Sequence, residues 1–215
     1  MSEATREIEE FYRRCAVLRR RFQDAALHSV PMAKVAEQAE RLGLPVREDM
    51  AQVSEGDLAY ALDLAVHTAP PGRSRAIERV ARQGRTMAGD EAAPLVLRAL
   101  VGAWFSAFRV LGPHPETGLI LEDALLGGEV WVVDEALAES AAPGTVLAAR
   151  IGRVRGFAIT CGVVAGLDEM VLAGFRQAIV RSGVPAAELL ADPRFATLVY
   201  QRALGLHFGE GLGFG

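Results

Sequence analysis

Five short runs between Trp104 and Leu167 alternate apolar and polar positions, and on either side of them apolar residues recur at helical spacing. The runs are WFSAFRVLG, GLILEDAL, EVWVVDE, TVLAARIGRV and GFAITCGVVAGL, separated by glycine, proline and acidic turns. Short strands punctuated in this way predict a compact meander or small barrel. The expected fold is α+β: a small five-stranded antiparallel β-barrel or curled sheet flanked by N- and C-terminal helices. The chain divides accordingly into a helical region over 1–103, a barrel module over 104–167, and C-terminal helices with a glycine-rich tail over 168–215, packed as one body.

In the first 28 residues, Ile8, Phe11, Tyr12, Cys15, Leu18, Phe22 and Ala25 recur at three- and four-residue steps, the buried face of one helix. Pro31 opens a second helix, with Met32, Val35, Ala36, Ala39 and Leu42 as its buried stripe and Gly43 as its stop. Ser54-Glu55-Gly56-Asp57 forms a capping box ahead of LAYALDLAVHTA, which is too apolar all round for an exposed helix and belongs in the centre of the helical core. A charged His67 near its C-terminus would complement the helix dipole. A shorter helix is expected over Ser74 to Gln83, a loop over Gly84 to Gly89, and a further helix from Asp90 with Pro94 in its first turn. After the barrel, Asp168 caps a helix that ends at Gly183, and Pro185 and Asp192-Pro193 start two more. The tail HFGEGLGFG is glycine-rich.

Inside the barrel region, Leu119, Leu121 and Leu125, with Val130 and Val132, bury one face of a hairpin. Gly127-Gly128 suits a two-residue hairpin turn, GPHPETG a tight turn, and Pro143-Gly144 a type II turn.

Composition changes this picture little. Half of the 215 residues are apolar and the formal net charge is −4, which argues against a general polyanion binder. Lys34 is the only lysine, an arginine bias that reads as GC-rich coding. The first two helices bring a helix-turn-helix to mind, but KVAEQAERLG lacks the polar and basic side chains of a DNA-reading helix. Cys15 and Cys161 are isolated and make no zinc motif, and with the histidines scattered no structural zinc is expected. MSEATREIEEFYRR has no apolar leader, and no apolar stretch reaches the roughly 18–20 residues that span a bilayer. The expected setting is the cytoplasm.

The string FRVLGPHPETGLILEDALLGGEVWVVDEALAESAAPGTVLAARI carries Gly118, Leu119, Leu121, Asp123, Leu125, Gly127, Val130, Ser140, Pro143, Gly144, Leu147, Ala149 and Arg150. In these it resembles a module of uncharacterised bacterial proteins, some of which end in a cysteine-rich, SecA-type zinc motif. The resemblance covers under a third of the chain and implies a shape without an activity. No Cys-x-Cys or Cys-His pair follows here, so a role tied to that zinc motif does not carry over.

Candidate chemistry is sparse. Glu122, Asp123, Asp134, Glu135 and Glu139 could ligate a hard cation from adjacent strands, or simply form the exposed edges of a hairpin. His28, His67, His114 and His207 lie far apart, and Cys161 has no histidine near it in sequence. Ser106 and Ser140 lack a nucleophile elbow, and no glycine run is followed by G-K-[ST]. Arg19-Arg20-Arg21 is either a phosphate site or the solvated back of a helix. Asp123 could pair with Arg150 across strands. Trp131, between two inward valines, either faces out beside Arg109 or Arg150 or is covered by the flanking helices. No catalytic residue, metal ligand or cofactor is assigned. The binding residues are Arg109, Glu122, Asp123, Trp131 and Arg150, on an open barrel face whose mixed charge suits a protein or peptide partner. The leading reading is a non-enzymatic cytoplasmic interaction or binding module of unknown partner and oligomeric state. The alternatives are a single-stranded nucleic-acid or ribosome-associated binder and, third, an acidic metal-dependent hydrolase.

Overall fold

Ser2 accepts a hydrogen bond from the Thr5 amide and starts α1 (Glu3–His28) in the computed structural model, which describes residues 2–45, 53–70, 72–83 and 90–205. The buried face of α1 runs through Tyr12, Cys15, Leu18 and Phe22 to Ala26, while Ala25 is exposed. From Leu18 onward the stripe advances in steps of four, which carries it past Ala25. In α2 (Met32–Arg41) Met32 is 75% exposed, because the first side chain of a helix leans back beyond the surface that packs. Gly43, at φ 76°, ends α2 with paired bonds from its own amide to Glu40 and from the Leu44 amide to Ala39, so a left-handed residue is required there. Ser54 caps α3 (Glu55–His67), and α4 (Ala76–Gln83) and α5 (Ala92–Val101) follow. The loop expected over 84–89 and the tail over 207–215 lie outside the described residues.

All strand structure among the described residues falls between Trp104 and Leu167: β1 (Trp104–Pro113), β2 (Leu119–Asp123), β3 (Glu129–Val132), β4 (Val146–Arg153) and β5 (Ala158–Leu167). The strand order β1-β2-β3-β5-β4 closes into a barrel. The sheet is mixed and not purely antiparallel, since β3 and β5 run parallel through Val132 and Ala158. An odd number of strands cannot alternate direction around a closed ring, so one neighbouring pair must run parallel. The reversal is made by α6 (Glu135–Ser140), a short helix capped by Asp134, after which β4 returns to pair with β1. Ala142-Pro143-Gly144-Thr145 forms the expected turn, with the Thr145 amide bonded to Ala142 and Gly144 at φ 88°. The Gly127-Gly128 connection is longer than a two-residue turn. Asp123 accepts from the Leu125 and Leu126 amides and builds a turn of its own before the two glycines are reached.

Four groups of apolar side chains are organised about this ring. Phe108, Val110, Leu121, Val132, Leu147 and Ile151 fill its interior. Outside, α1, α4 and α5 pack with Phe157, Ile159 and Cys161 on one flank. On another, α2, α3, α8 and α9 pack with Phe105, Ala148 and Ala165, α8 spanning Ala186–Ala191 and α9 Pro193–Ala203. The helix α7 (Glu169–Ser182), capped by Asp168 and ended at Gly183, adds Leu172 beside Ala107 and Val146. The strand β4 is consequently buried on both faces up to Gly152.

Gly152 marks the closest approach of α5 to the barrel. A Cβ there would collide with the Ala99 carbonyl and its carbon, which are helix backbone and cannot swing away. Gly152→Ala is expected to destabilise the protein by about 1–3 kcal/mol, the usual cost of overpacking. Gly166→Ala on β5 meets nothing within 4 Å and serves as the control in the same thermal denaturation experiment.

Candidate functional site

Asp63 is the one acid in the apolar stretch of α3, and it is buried at 5% exposure. A carboxylate can stay charged there only against a matching cation and hydrogen-bond donors. Arg150 supplies them from β4, with Nε 3.3 Å from Oδ1 and Nη2 3.1 Å from Oδ2. The Tyr200 hydroxyl of α9 donates to Oδ2 at 3.0 Å. Tyr200 is held by Tyr60, stacked at 4.5 Å, and by the edge of Phe105, whose face also carries the Arg150 guanidinium. Burial works to raise the Asp63 carboxyl, but Arg150 and Tyr200 outweigh it and hold the group below the usual carboxylate range. Burial, and then the Asp63 charge, push the Tyr200 phenol far above its ordinary value.

His67, one turn further along α3, is 3% exposed. Neither ring nitrogen has a hydrogen-bond partner among the described residues. Its Nε2 lies 4.0 Å from Asp63 Oδ1, too far for a hydrogen bond. Burial, reinforced by the positive Arg150 and Arg75, pushes the imidazole down to about 3 against the pull of Asp63. His67 is therefore neutral and makes no ion pair, and the charged imidazole expected at this helix end is corrected. The ring is fully enclosed, while the main chain here joins the wall of a cavity of about 550 Å³ bounded by Phe105 and Arg150 of the barrel, Arg75 at the start of α4, and Leu190 and Ala196 of α8 and α9.

The five residues expected to bind do not form one site, although Arg109 and Glu122 are brought together as cross-strand partners. Glu122 and Asp123 are consecutive on a strand and so point to opposite faces. Asp123 turns inward and is buried, accepting from Ser106 at 2.6 Å and from Trp104 Nε1 at 3.1 Å. The Asp123–Arg150 pair is not formed. Arg150 points outward as alternation requires, but α3 and α9 cover it, so it is not on an open face. Trp131 is half-buried: its ring stacks on His114 at 3.8 Å, tilts against Phe157, and donates from Nε1 to the Thr117 carbonyl. Arg109 reaches Glu169 of α7 and Glu122.

Of Arg19-Arg20-Arg21, Arg20 and Arg21 are exposed on the back of α1. Arg19 is half-buried and donates to the Thr160 carbonyl and hydroxyl, beside Asp134, which accepts from Thr160. Among the described residues no group of three or more His, Cys, Asp or Glu side chains could hold a metal ion. Both thiols are buried and free, and burial pushes Cys15 up to about 11 and Cys161 up to about 12.

Asp63, His67 and Tyr200 were not among the residues expected to matter. The signal available for the first two was a lone acid inside an apolar helix with a histidine four residues on. Tyr200 had no local signal.

Three outcomes follow from this geometry. Asp63→Ala strands a buried guanidinium and should cost about 3–5 kcal/mol, whereas His67→Leu removes an unpartnered polar ring and should leave the melting temperature unchanged or higher. On acidification, the unfolded chain protonates His67 near its ordinary 6.5 while the folded chain resists down to about 3. Stability is thus lost as pH falls below 6.5, by about 1.4 kcal/mol per unit. Asp63 stabilises above its unfolded value of 3.8 and loses that contribution only below it. Urea denaturation at pH 7 and pH 5 should therefore show a loss about 2 kcal/mol larger in the native sequence than in His67→Leu. Finally, neither thiol should react with a disulfide reagent until the protein is unfolded.

No curated protein and no solved structure matches the chain. A family match takes in residues 8–169, which include Asp63, His67, Arg150 and all five strands and exclude Tyr200 with α8 and α9. It reaches well beyond the string that resembles modules accompanying SecA-type zinc motifs, and nothing in it points to that motif. With three-quarters of its length inside the match, the chain belongs to a family of unknown function (DUF7986).

Proposed function

We propose that this protein is a non-enzymatic binding module that holds its ligand in the cavity between the barrel, α3 and the α8–α9 corner. The observation that carries this reading is the cavity itself, large enough for a small molecule, with Trp104, Phe105 and Leu190 as its apolar wall and the Arg150 guanidinium beside them. Groups that could act on a substrate are otherwise committed. Asp63 is saturated by Arg150 and Tyr200, and the Cys161 thiol stays protonated. Of the binding residues expected from sequence, Arg150 belongs to this site.

The other readings have less behind them. Stacking of nucleic-acid bases needs open aromatic faces, but Trp131 is stacked on His114, Trp104 lies under Arg153, and Phe11 lies under Arg155. A metal-dependent hydrolase needs free carboxylates, whereas Asp123, Asp134, Glu122 and Glu135 are each engaged by Ser106, Thr160, Arg109 and Arg13. A protein or peptide partner would have the outer strip of β2 and β3, where Ile120 stands opposite Trp131. A cytoplasmic setting fits the two free thiols, and no helix among the described residues is long and apolar enough to cross a membrane. The three chain segments form one cooperative unit in this proposal, since Asp63, Arg150 and Tyr200 come one from each.

Ala187 and Ala191 are exposed and line the cavity mouth, so a tryptophan at either fills the space without entering the core. A fragment screen by ligand-observed NMR should give hits on the native protein that vanish in Ala187→Trp and Ala191→Trp. Hits that persist in both variants would place binding elsewhere and remove this reading.

A further inference from the structure

We infer that the ligand of this cavity is an uncharged molecule, an apolar body carrying a carbonyl group whose oxygen accepts a hydrogen bond from Arg150. The inference rests on the cavity being a binding site and adds the class of ligand it takes.

Arg150 supplies the donor. Its side chain is 7% exposed, and Asp63 engages only Nε and Nη2. Nη1 has no partner among the described residues, yet it is not sealed in as the unpartnered nitrogens of Arg19 and His67 are. A guanidinium nitrogen left open beside a cavity that its side chain lines is a donor to which a ligand can bring the acceptor.

The same ion pair sets what that acceptor is. Asp63 already balances the Arg150 charge, so an anionic ligand would bring a second negative charge to one buried guanidinium. A cation would face the guanidinium directly, because the Asp63 carboxylate is 1% exposed. Both oxygens of Asp63 are taken, Oδ1 by Nε and Oδ2 by Nη2 and the Tyr200 hydroxyl. An O–H or N–H on the inner end of the ligand would therefore find no acceptor in this pair. Around the mouth, Glu78 is matched by Arg75 and Asp192 by Arg194, and Arg73 is exposed to solvent. These conditions select a ketone, ester or tertiary amide over a carboxylate, an ammonium or an alcohol.

The body of the ligand meets Trp104, Phe105, Leu126, Leu190 and Pro193. The Trp104 indole N–H is taken by Asp123 and the Thr68 hydroxyl donates to the Leu64 carbonyl, so this wall is apolar toward the ligand. A volume of about 550 Å³ lies within the range of small-molecule sites.

The test compares 4-phenyl-2-butanone with 3-phenylpropionate, which has the same shape with a carboxylate in place of the methyl ketone. In titrations followed by ligand-observed NMR, the ketone should bind roughly tenfold more tightly or better, since the carboxylate charge has no free partner. Ala191→Trp should abolish its binding. Infrared spectra of the bound ketone should show the carbonyl stretch below its position in hexane. Replacing the ion pair as a unit, Asp63→Leu with Arg150→Met, should return the stretch toward that position. Buried pairs tolerate such a joint apolar exchange, and a cooperative melt verifies the fold. The affinity comparison and the native stretch need no substitution and decide the matter where the double variant does not fold. If the carboxylate binds as tightly as the ketone, or the stretch lies at the hexane position or ignores the double replacement, the ligand class is wrong and the cavity remains a binding site. If neither probe binds the native protein at millimolar concentration, or binding survives both Ala187→Trp and Ala191→Trp, the binding-site reading itself falls.

Discussion

Arg150 holds a full charge in the middle of the molecule, and much of the architecture answers to it. It sits on β4, the strand buried on both faces, where a lone guanidinium would cost several kcal/mol to desolvate. Asp63 from the N-terminal helices and Tyr200 from the last helix converge on it, and Tyr60 and Phe105 wall the group off from water. A well-packed apolar trio of the same volume would be about as stable. What the ionic version adds is register: only one placement of α3 and α9 on the barrel satisfies both oxygens of Asp63.

The cavity is the counterpart of that arrangement. Where α8 ends and Asp192 turns the chain into α9, the helical layer leaves the barrel surface uncovered beside the charged pair. Ligand sites favour such junctions, because walls from separate elements supply an apolar enclosure and a few convergent polar groups. Here those polar groups are already held rigid by the contacts that build the fold.

Much of this was readable from the chain. Alternation over WFSAFRVLG and TVLAARIGRV located the strands, and Ser54, Asp168 and Asp192 announced helix starts that the structure shows capped. These are local signals, and they come through. The parallel β3–β5 pair was implied by counting five strands in a ring, yet it was missed because hairpin logic considers only sequential neighbours. Arg150 and Trp131 point outward as their strand positions require. Whether outward means exposed depends on helices remote in sequence, and that no local pattern encodes. Asp63 became legible only once its partner was in view. A buried acid is a statement about a distant cation, and the cation lies 87 residues away.

The pairing of β3 with β5 is the thinnest seam of the barrel, and α1 lies across it. Val132 is opposite Ala158, and the Val133 amide adds a bond to the Ala158 carbonyl. Over this seam, Arg19 and Gln23 donate to Thr160 and Cys161 on β5, while Arg13 and the Tyr12 hydroxyl engage Glu135 just beyond β3. A helix that precedes the barrel in the chain is thus the strap that fastens its last strand. During synthesis α1 can pack on α4 and α5 as they emerge, but its hydrogen bonds to Thr160 and Cys161 must wait for β5, so the barrel seam is the last part of the fold to be secured.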